Sequence, residues 1–205
     1  MHKNKIQKSV IFANPSKPQD YFLRNRKIAK IVKAYPEKFI GFARFDPKLG
    51  SESIDELKIA INHLKLKGVK LHPFVEKFSP TDVTIYPFYE SILNLKVPIL
   101  LHFEPQYKID KVLDDFPEII FILGHLNATS LNLLKTHNNV FVETSGTSID
   151  LIHKTVKYNS SRILFGSDYP YLSPSEEIKK IYAAVKDPSI LKKIFFKNLQ
   201  SLLQL

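Results

Sequence analysis

Val97-Pro98-Ile99-Leu100-Leu101-His102 and Ile119-Ile120-Phe121-Ile122-Leu123-Gly124-His125 decide how this 205-residue chain folds. Each is a short apolar run that stops at a histidine. A third stretch, Arg162-Ile163-Leu164-Phe165-Gly166-Ser167-Asp168, stops at an aspartate. Apolar runs of about 4–8 residues with little alternation read as strands covered on both faces. In a parallel (β/α) barrel the active site lies at the C-terminal ends of the strands. Two histidines and an aspartate at such exits are the donors that a metal-dependent hydrolase built on a barrel would use.

Working outward, further runs of the same kind lie at 9–13, 39–43, 68–72 and 140–144, which with 97–102, 119–124 and 163–167 makes seven expected strands. Amphipathic stretches separate them. Residues 21–34 carry Leu23, Ile28, Ile31 and Val32, and residues 53–66 carry Ile54, Leu57, Ile61 and Leu64, at helical spacing. Ser53 with Glu56 reads as a capping box. Later helices are expected at 86–95, 109–116, 130–137, 149–158, 174–185 and 189–203, with Pro174 and Pro188 at or beside helix starts. Strict β-α alternation with short connections means parallel strands with right-handed crossovers. The period suits a (β/α) TIM barrel, whose full form has eight units in about 250 residues. Seven strands therefore predict a TIM-barrel-like α/β fold without its first βα unit. A doubly wound open sheet is the alternative, but the Gly-rich phosphate loop expected after its first strand is absent.

No linker or low-complexity tract divides the chain, so residues 1–205 are expected to form one domain. No apolar run approaches the roughly 20 residues of a membrane span. Met1-His2-Lys3-Asn4-Lys5 is charged without an apolar core behind it, unlike a signal peptide. A cytoplasmic location, with no membrane partner, is the expectation. The chain contains no cysteine, which excludes disulfides and thiolate chemistry. Its net charge of +10 raises the question of nucleic acid. Only Arg24, Arg26, Arg44 and Arg162 are arginines, however, and phosphate and base recognition favours arginine forks. The lysines are spread over helical segments as a solvated surface, so no nucleic-acid partner is expected, only a bias toward anionic small molecules.

The polar residues at the strand exits are His72, His102 with Glu104, His125 with Asn127, Thr144 with Ser145, and Asp168 with Tyr169. Taken singly, each has an ordinary structural explanation. A histidine at a strand end is commonly a hydrogen-bonded core or surface residue, and Asp168 would cap a turn or helix. Taken together they suit metal-assisted hydrolysis or a related lyase step. A divalent metal lowers the pKa of its bound water toward about 7 and polarises a substrate oxygen. A histidine or the aspartate then moves the proton. Ser145 lies in no Gly-x-Ser-x-Gly elbow and has no base near it in sequence, which argues against a serine hydrolase. Phe74, Phe103, Tyr107, Tyr169 and Tyr171 fall in the loops after the strands, where aromatics either line a pocket for a flat substrate or simply pack.

Six segments carry a wider likeness: GFARFDP (41–47), GVKLHP (68–73), VPILLHF (97–103), PEIIFILGH (117–125), NVFVETSG (139–146) and RILFGSDYP (162–170). In this order the chain resembles the amidohydrolase-related family of metal-dependent (β/α)8-barrel hydrolases and decarboxylases, which includes the aminocarboxymuconate-semialdehyde decarboxylase type. The likeness runs from about residue 6 to the C-terminus. It implies that His102 is the fifth-strand metal ligand. It implies that His125 is the sixth-strand histidine, a ligand or the acid/base beside the metal. Asp168 would be the eighth-strand aspartate, which binds metal and handles a proton. His72 is expected to bind substrate or assist the metal, with Glu104 and Tyr169 also toward substrate. Lys70 is a weaker candidate for a bridging ligand. The metal implied is zinc by ligand type, with manganese or another divalent ion as the alternative.

The family's first strand carries a His-x-His pair, and no such pair occurs in these 205 residues. Three explanations follow: a longer protein with an upstream start, a natural truncation that binds metal weakly or not at all, or a second subunit that fills the gap. A missing strand would leave sheet edges open, so a homo-oligomer is expected. The first functional expectation is a metal-dependent hydrolase of the amidohydrolase superfamily acting on a small, carboxylated or cyclic molecule. The alternatives are a decarboxylase with the same metal and ligands, and a non-catalytic barrel remnant.

Overall fold

Short parallel strands alternate with helices along the whole chain, as the apolar runs require. The computed structural model describes residues 1–205, which group into two compact units, 1–102 with 107–120 and 103–106 with 121–205.

The first unit contains β1 (Ser9–Ile11), α1 (Asp20–Ala34), β2 (Phe39–Gly41), β3 (Ala43–Arg44), α2 (Ser51–Asn62), β4 (Val69–Leu71), α3 (Pro73–Glu76), α4 (Tyr86–Leu95), β5 (Ile99–His102) and α5 (Asp110–Asp115). β1 pairs with β2, while β3, β4 and β5 pair in that order, all parallel. The strand expected at 39–43 is thus shared between two neighbours. The Phe42 amide donates to the Ile11 carbonyl at 2.9 Å, and the next amide, Ala43, donates to the Gly68 carbonyl at 2.8 Å. Consecutive amides of a strand point to opposite sides, so one extended run serves both partners. Its core is Ile40, Phe42, Phe45, Leu57, Leu66, Val69, Leu71, Phe88, Ile92, Ile99 and Leu101, all buried.

The expected capping box at Ser53 and Glu56 does not form. α2 begins earlier, capped at Gly50, whose φ of 56° is the left-handed region that glycine adopts without a Cβ clash. Ser53 is therefore inside the helix, where its hydroxyl donates to the Asp46 carbonyl at 2.6 Å. Glu56 faces outward and pairs with Arg26 of α1 at 2.7 Å.

The second unit contains β6 (Phe121–Gly124), α6 (Ala128–Thr136), β7 (Val140–Glu143), α7 (Ile149–Asn159), β8 (Ile163–Leu164), α8 (Pro174–Ala184), α9 (Pro188–Lys192) and α10 (Asn198–Leu203). β6, β7 and β8 pair in that order, parallel. Pro174 and Pro188 are first residues of their helices, where a missing N–H costs no hydrogen bond. A π-helical turn, Lys193–Lys197, joins α9 to α10. β6 is buried at every position. β7 alternates: Val140 and Val142 are buried, whereas Phe141 and Glu143 are half-buried on the other face. β5 does the same, with Leu100 and His102 together on the half-buried face. No helix of the chain is long and apolar enough to cross a membrane.

Candidate functional site

In the first unit His72 and His102 follow and end neighbouring strands, and parallel pairing brings their rings together. β4 pairs with β5 with Leu71 opposite Leu101, so the residues just beyond, His72 and His102, stand side by side. Their rings stack face to face, with centroids 3.7 Å apart and planes 13° from parallel. Lys70, two residues before His72, is buried, and its ammonium lies 5.4 Å from the centroid of Phe12.

A buried polar network braces the exit of β4. Glu76 lies in the helical turn that Pro73 opens, and its Oε2 accepts the His72 backbone N–H at 2.8 Å. Its Oε1 accepts from Arg44 Nη2 at 2.7 Å, from Arg44 Nε at 3.0 Å and from the Tyr21 hydroxyl at 2.7 Å. Asn25 completes the network by bonding both backbone groups of Arg44. The loop beyond His72 forms one wall of an open cleft of about 570 Å³ lined by Phe74, Lys77, Phe78 and Tyr107.

In the second unit the site is built around Glu143, the last residue of β7. Its Oε1 accepts the Ser145 N–H at 2.7 Å, and its Oε2 accepts the Ser145 hydroxyl at 2.8 Å and the His125 N–H at 3.3 Å. Ser145 is buried, and its Oγ lies 3.1 Å from His125 Nδ1. The Ser145 carbonyl is a second partner of the same nitrogen, at 3.3 Å. Asn127, two residues on, caps α6: its side chain accepts from the Ser130 N–H while the Ser130 hydroxyl accepts from the Asn127 N–H. That capping box fixes where the chain leaves β6 and hence the backbone of His125. Ser145 thus meets a histidine and a carboxylate after all, but not as a nucleophile. The carboxylate binds the serine rather than the imidazole, and the hydroxyl is enclosed.

The backbone marks the same places. Seven non-glycine residues have positive φ; Lys5, Lys77, Lys96 and Gln204 are ordinary caps after helical segments. His125 and Asp168 instead follow strand segments, with φ of 60° and 45°. A left-handed non-glycine residue outside a helix cap costs on the order of 1–3 kcal/mol, and such strain clusters at functional sites. The Asp168 carbonyl accepts the Tyr171 N–H at 2.9 Å, which closes a turn.

The first unit therefore joins His72 to His102, and the second places His125 with Glu143 and Ser145. Asp168 is half-buried at its turn, Glu104 is half-buried beside Gln106, and Tyr169 is largely exposed. Phe103 is buried in packing, whereas Phe74 and Tyr171 are exposed. Imidazole and carboxylate are suitable donors for a divalent ion. Within either unit taken alone, no three histidine or acidic side chains are grouped to hold one. Sequence reading passed over Glu143 and Glu76. For Glu143 the available signal was a charged residue at the end of an apolar strand, two positions before a serine.

Comparison with known proteins gives the family and the fold. A family model described as Amidohydrolase matches residues 6–203. A 2-amino-3-carboxymuconate-6-semialdehyde decarboxylase from Dictyostelium discoideum is 29% identical over 97 residues, covering 45% of this chain and 27% of that protein. A 2-keto-4-carboxy-3-hexenedioate hydratase from Sphingobium sp. (strain NBRC 103272 / SYK-6) is 35% identical over 86 residues, covering 38% of this chain and 25% of that protein. The chain thus aligns with about a quarter of the length of these curated relatives. Among solved structures, the dihydroxybenzoic acid decarboxylase of Polaromonas sp. JS666, with bound manganese and the inhibitor 2-nitroresorcinol, superposes with a TM-score of 0.80. It is 17% identical and is covered over 83% of its length by the whole of this chain, a likeness of fold. Parallel strands alternating with helices, the ordered strand-exit motifs and a family match over nearly every residue lead to one assignment: the chain belongs to the amidohydrolase family.

Proposed function

We propose that the chain serves a metal-dependent lyase of the decarboxylase type, acting on a small molecule that carries a carboxylate, rather than a hydrolase. The observation that carries this reading is the strained, strand-exit backbone at both His125 and Asp168, the two residues to which the family resemblance gives the proton. The choice of lyase over hydrolase is supported by the relatives. Both curated relatives are named for lyase reactions on carboxylated molecules, and the manganese-bound neighbour is named a decarboxylase. The net charge of +10 suits an anionic substrate.

His102 and Asp168 are proposed as ligands, with His125 as a third ligand or as the acid/base beside the ion, carried by the family motifs. A divalent ion held by them supplies Lewis-acid polarisation and neutralises the substrate's negative charge. In decarboxylation the bond between the substrate carbon and its carboxylate breaks, the electron pair stays on carbon, and carbon dioxide leaves. The carbon then takes a proton, which His125 would deliver as an imidazolium when it stands beside the ion rather than on it. His72 and Phe74, beside the cleft, are proposed to contact the substrate. Zinc remains the proposed metal by ligand type, with manganese as the alternative.

The test is a screen of mono- and dicarboxylated aromatic and enoic acids with the manganese- and zinc-supplemented chain, following released carbon dioxide. Release that is lost in Asp168→Asn supports the reading. Ester or lactone hydrolysis without carbon dioxide release would restore the hydrolase, and hydration of an enoic acid alone would overturn decarboxylation in favour of a hydratase.

A further inference from the structure

We propose, on the reading above that the substrate carries a carboxylate, that the cleft beyond β4 is a subsite for a flat molecule with a second anionic group, and that Lys77 is the specificity-determining residue that reads this group. The cleft opens directly after His72. Pro73 and Phe74 begin its wall, and Lys77, Phe78, Ser79 and Tyr107 continue it. Its volume of about 570 Å³ falls within the range of small-molecule sites, about 300–1,000 Å³. Three of the lining side chains are aromatic, and Phe74 is 70% exposed. A ring so exposed gains apolar burial only when something flat lies against it.

Charge selects the ligand. Lys77 is the one charged residue that lines the cleft. Lys48, Lys58 and Lys111 of the same unit each meet an aspartate, whereas Lys77 has no acidic partner. The neighbouring acid, Glu76, is buried and turned to Arg44 and Tyr21. An ammonium beside apolar rings attracts an anion more strongly than one in open water, because the local dielectric is lower. A carboxylate that leaves as carbon dioxide cannot stay on the product, so the group held by Lys77 is a second one. The substrate class is thereby narrowed to flat molecules with two anionic groups, one lost and one kept.

The wall is built to hold its shape before anything binds. Pro73 has a fixed φ, and the Phe78 N–H donates to its carbonyl at 3.1 Å. Lys77 closes the turn with φ of 54°, and its carbonyl accepts from Lys48 Nζ at 3.1 Å. The Tyr89 hydroxyl donates to the Pro80 carbonyl at 3.0 Å. These bonds hold the backbone and leave the Lys77 ammonium to a ligand. A wall ordered in advance spends less affinity on ordering.

The test uses the uniformly 15N-labelled full chain without added metal and three probes. Benzoate has a ring and a carboxylate, benzamide the same ring without charge, and acetate the charge without a ring. The amide shifts of Phe74, Lys77, Phe78 and Ser79 are followed in each titration. Benzoate is expected to shift them saturably and to bind about two- to fivefold more tightly than benzamide, the range of one partly exposed ion pair. Acetate should not saturate. In Lys77→Met the benzoate affinity should fall to that of benzamide, and Lys77→Arg should keep the preference. The proposal is overturned by the absence of saturable shifts with benzoate, by acetate binding as tight as benzoate, by equal affinities of benzoate and benzamide in the wild type, or by a preference that survives Lys77→Met. The wild-type comparison decides even where a variant is lost. Lys77-dependent binding without carbon dioxide release in the screen removes the decarboxylase reading alone, and release without Lys77-dependent binding removes the subsite alone.

Discussion

Arg44 and Glu76 form an ion pair at 2.7 Å with side chains only 2% and 1% exposed. The pair joins β3 to the turn after β4, and the free oxygen of the same carboxylate holds the His72 N–H. Removing one member of such a pair leaves an uncompensated buried charge, at a cost of about 3–5 kcal/mol. Glu76→Ala should therefore show a large fall in urea midpoint. A loss below about 1 kcal/mol, the scale of exposed pairs, would mean that water replaces the carboxylate.

Tyr21 gives a pH test of the same network. Burial, and then the hydrogen bond to Glu76, push its phenol up to about 12. The folded state thus holds this proton more tightly than the unfolded chain, whose tyrosines titrate near 10. The resulting stability is present in full below about pH 10 and is lost as pH rises toward about 12. Tyr21→Phe should be less stable than wild type near neutrality. The gap between the two should narrow above about pH 10. Parallel curves through that window in denaturant titrations would disprove the linkage.

Gly166→Ala tests the packing of the chain just beyond β8 against Glu143. The added methyl has no space unless the carboxylate moves. Overpacking of this kind costs about 1–3 kcal/mol. Calorimetry should show a lower Tm, with disturbed His125 ring signals. A variant as stable as wild type, with an unaltered ring spectrum, would show that Glu143 has room to relax.

The proposed ligands predict metal retention. After loading with zinc or manganese and desalting, the wild type should keep about one ion per chain. A His102→Ala/Asp168→Ala double variant should lose it. Equal metal content in both proteins would remove His102 and Asp168 from the ligand set.

Much of the fold was legible in the chain. Apolar runs such as 119–124 announced strands because a strand covered on both faces has little polar alternation to show. Helices such as α4 and α8 followed from their amphipathic pattern, α8 also from Pro174 at its start. Ser53 misled because a serine followed three residues later by glutamate also occurs inside a helix, and only Gly50 showed where that helix began. His72, His102, His125 and Asp168 could be named in advance, since polar residues ending buried strands stand out in a linear reading.

What the amino-acid sequence alone determined was the order of elements, the parallel alternation and the identities of the polar residues at strand exits. These depend on local pattern and on chemistry that each residue carries with it. Which residues meet was decided only by tertiary structure. The stacking of His72 on His102 follows from strand register, and the closure of Glu143 on Ser145 and His125 depends on space left by Gly166, just beyond the end of a neighbouring strand. Hydrogen bonds and close packing act over a few ångströms between residues far apart in the chain, and no local pattern encodes that distance.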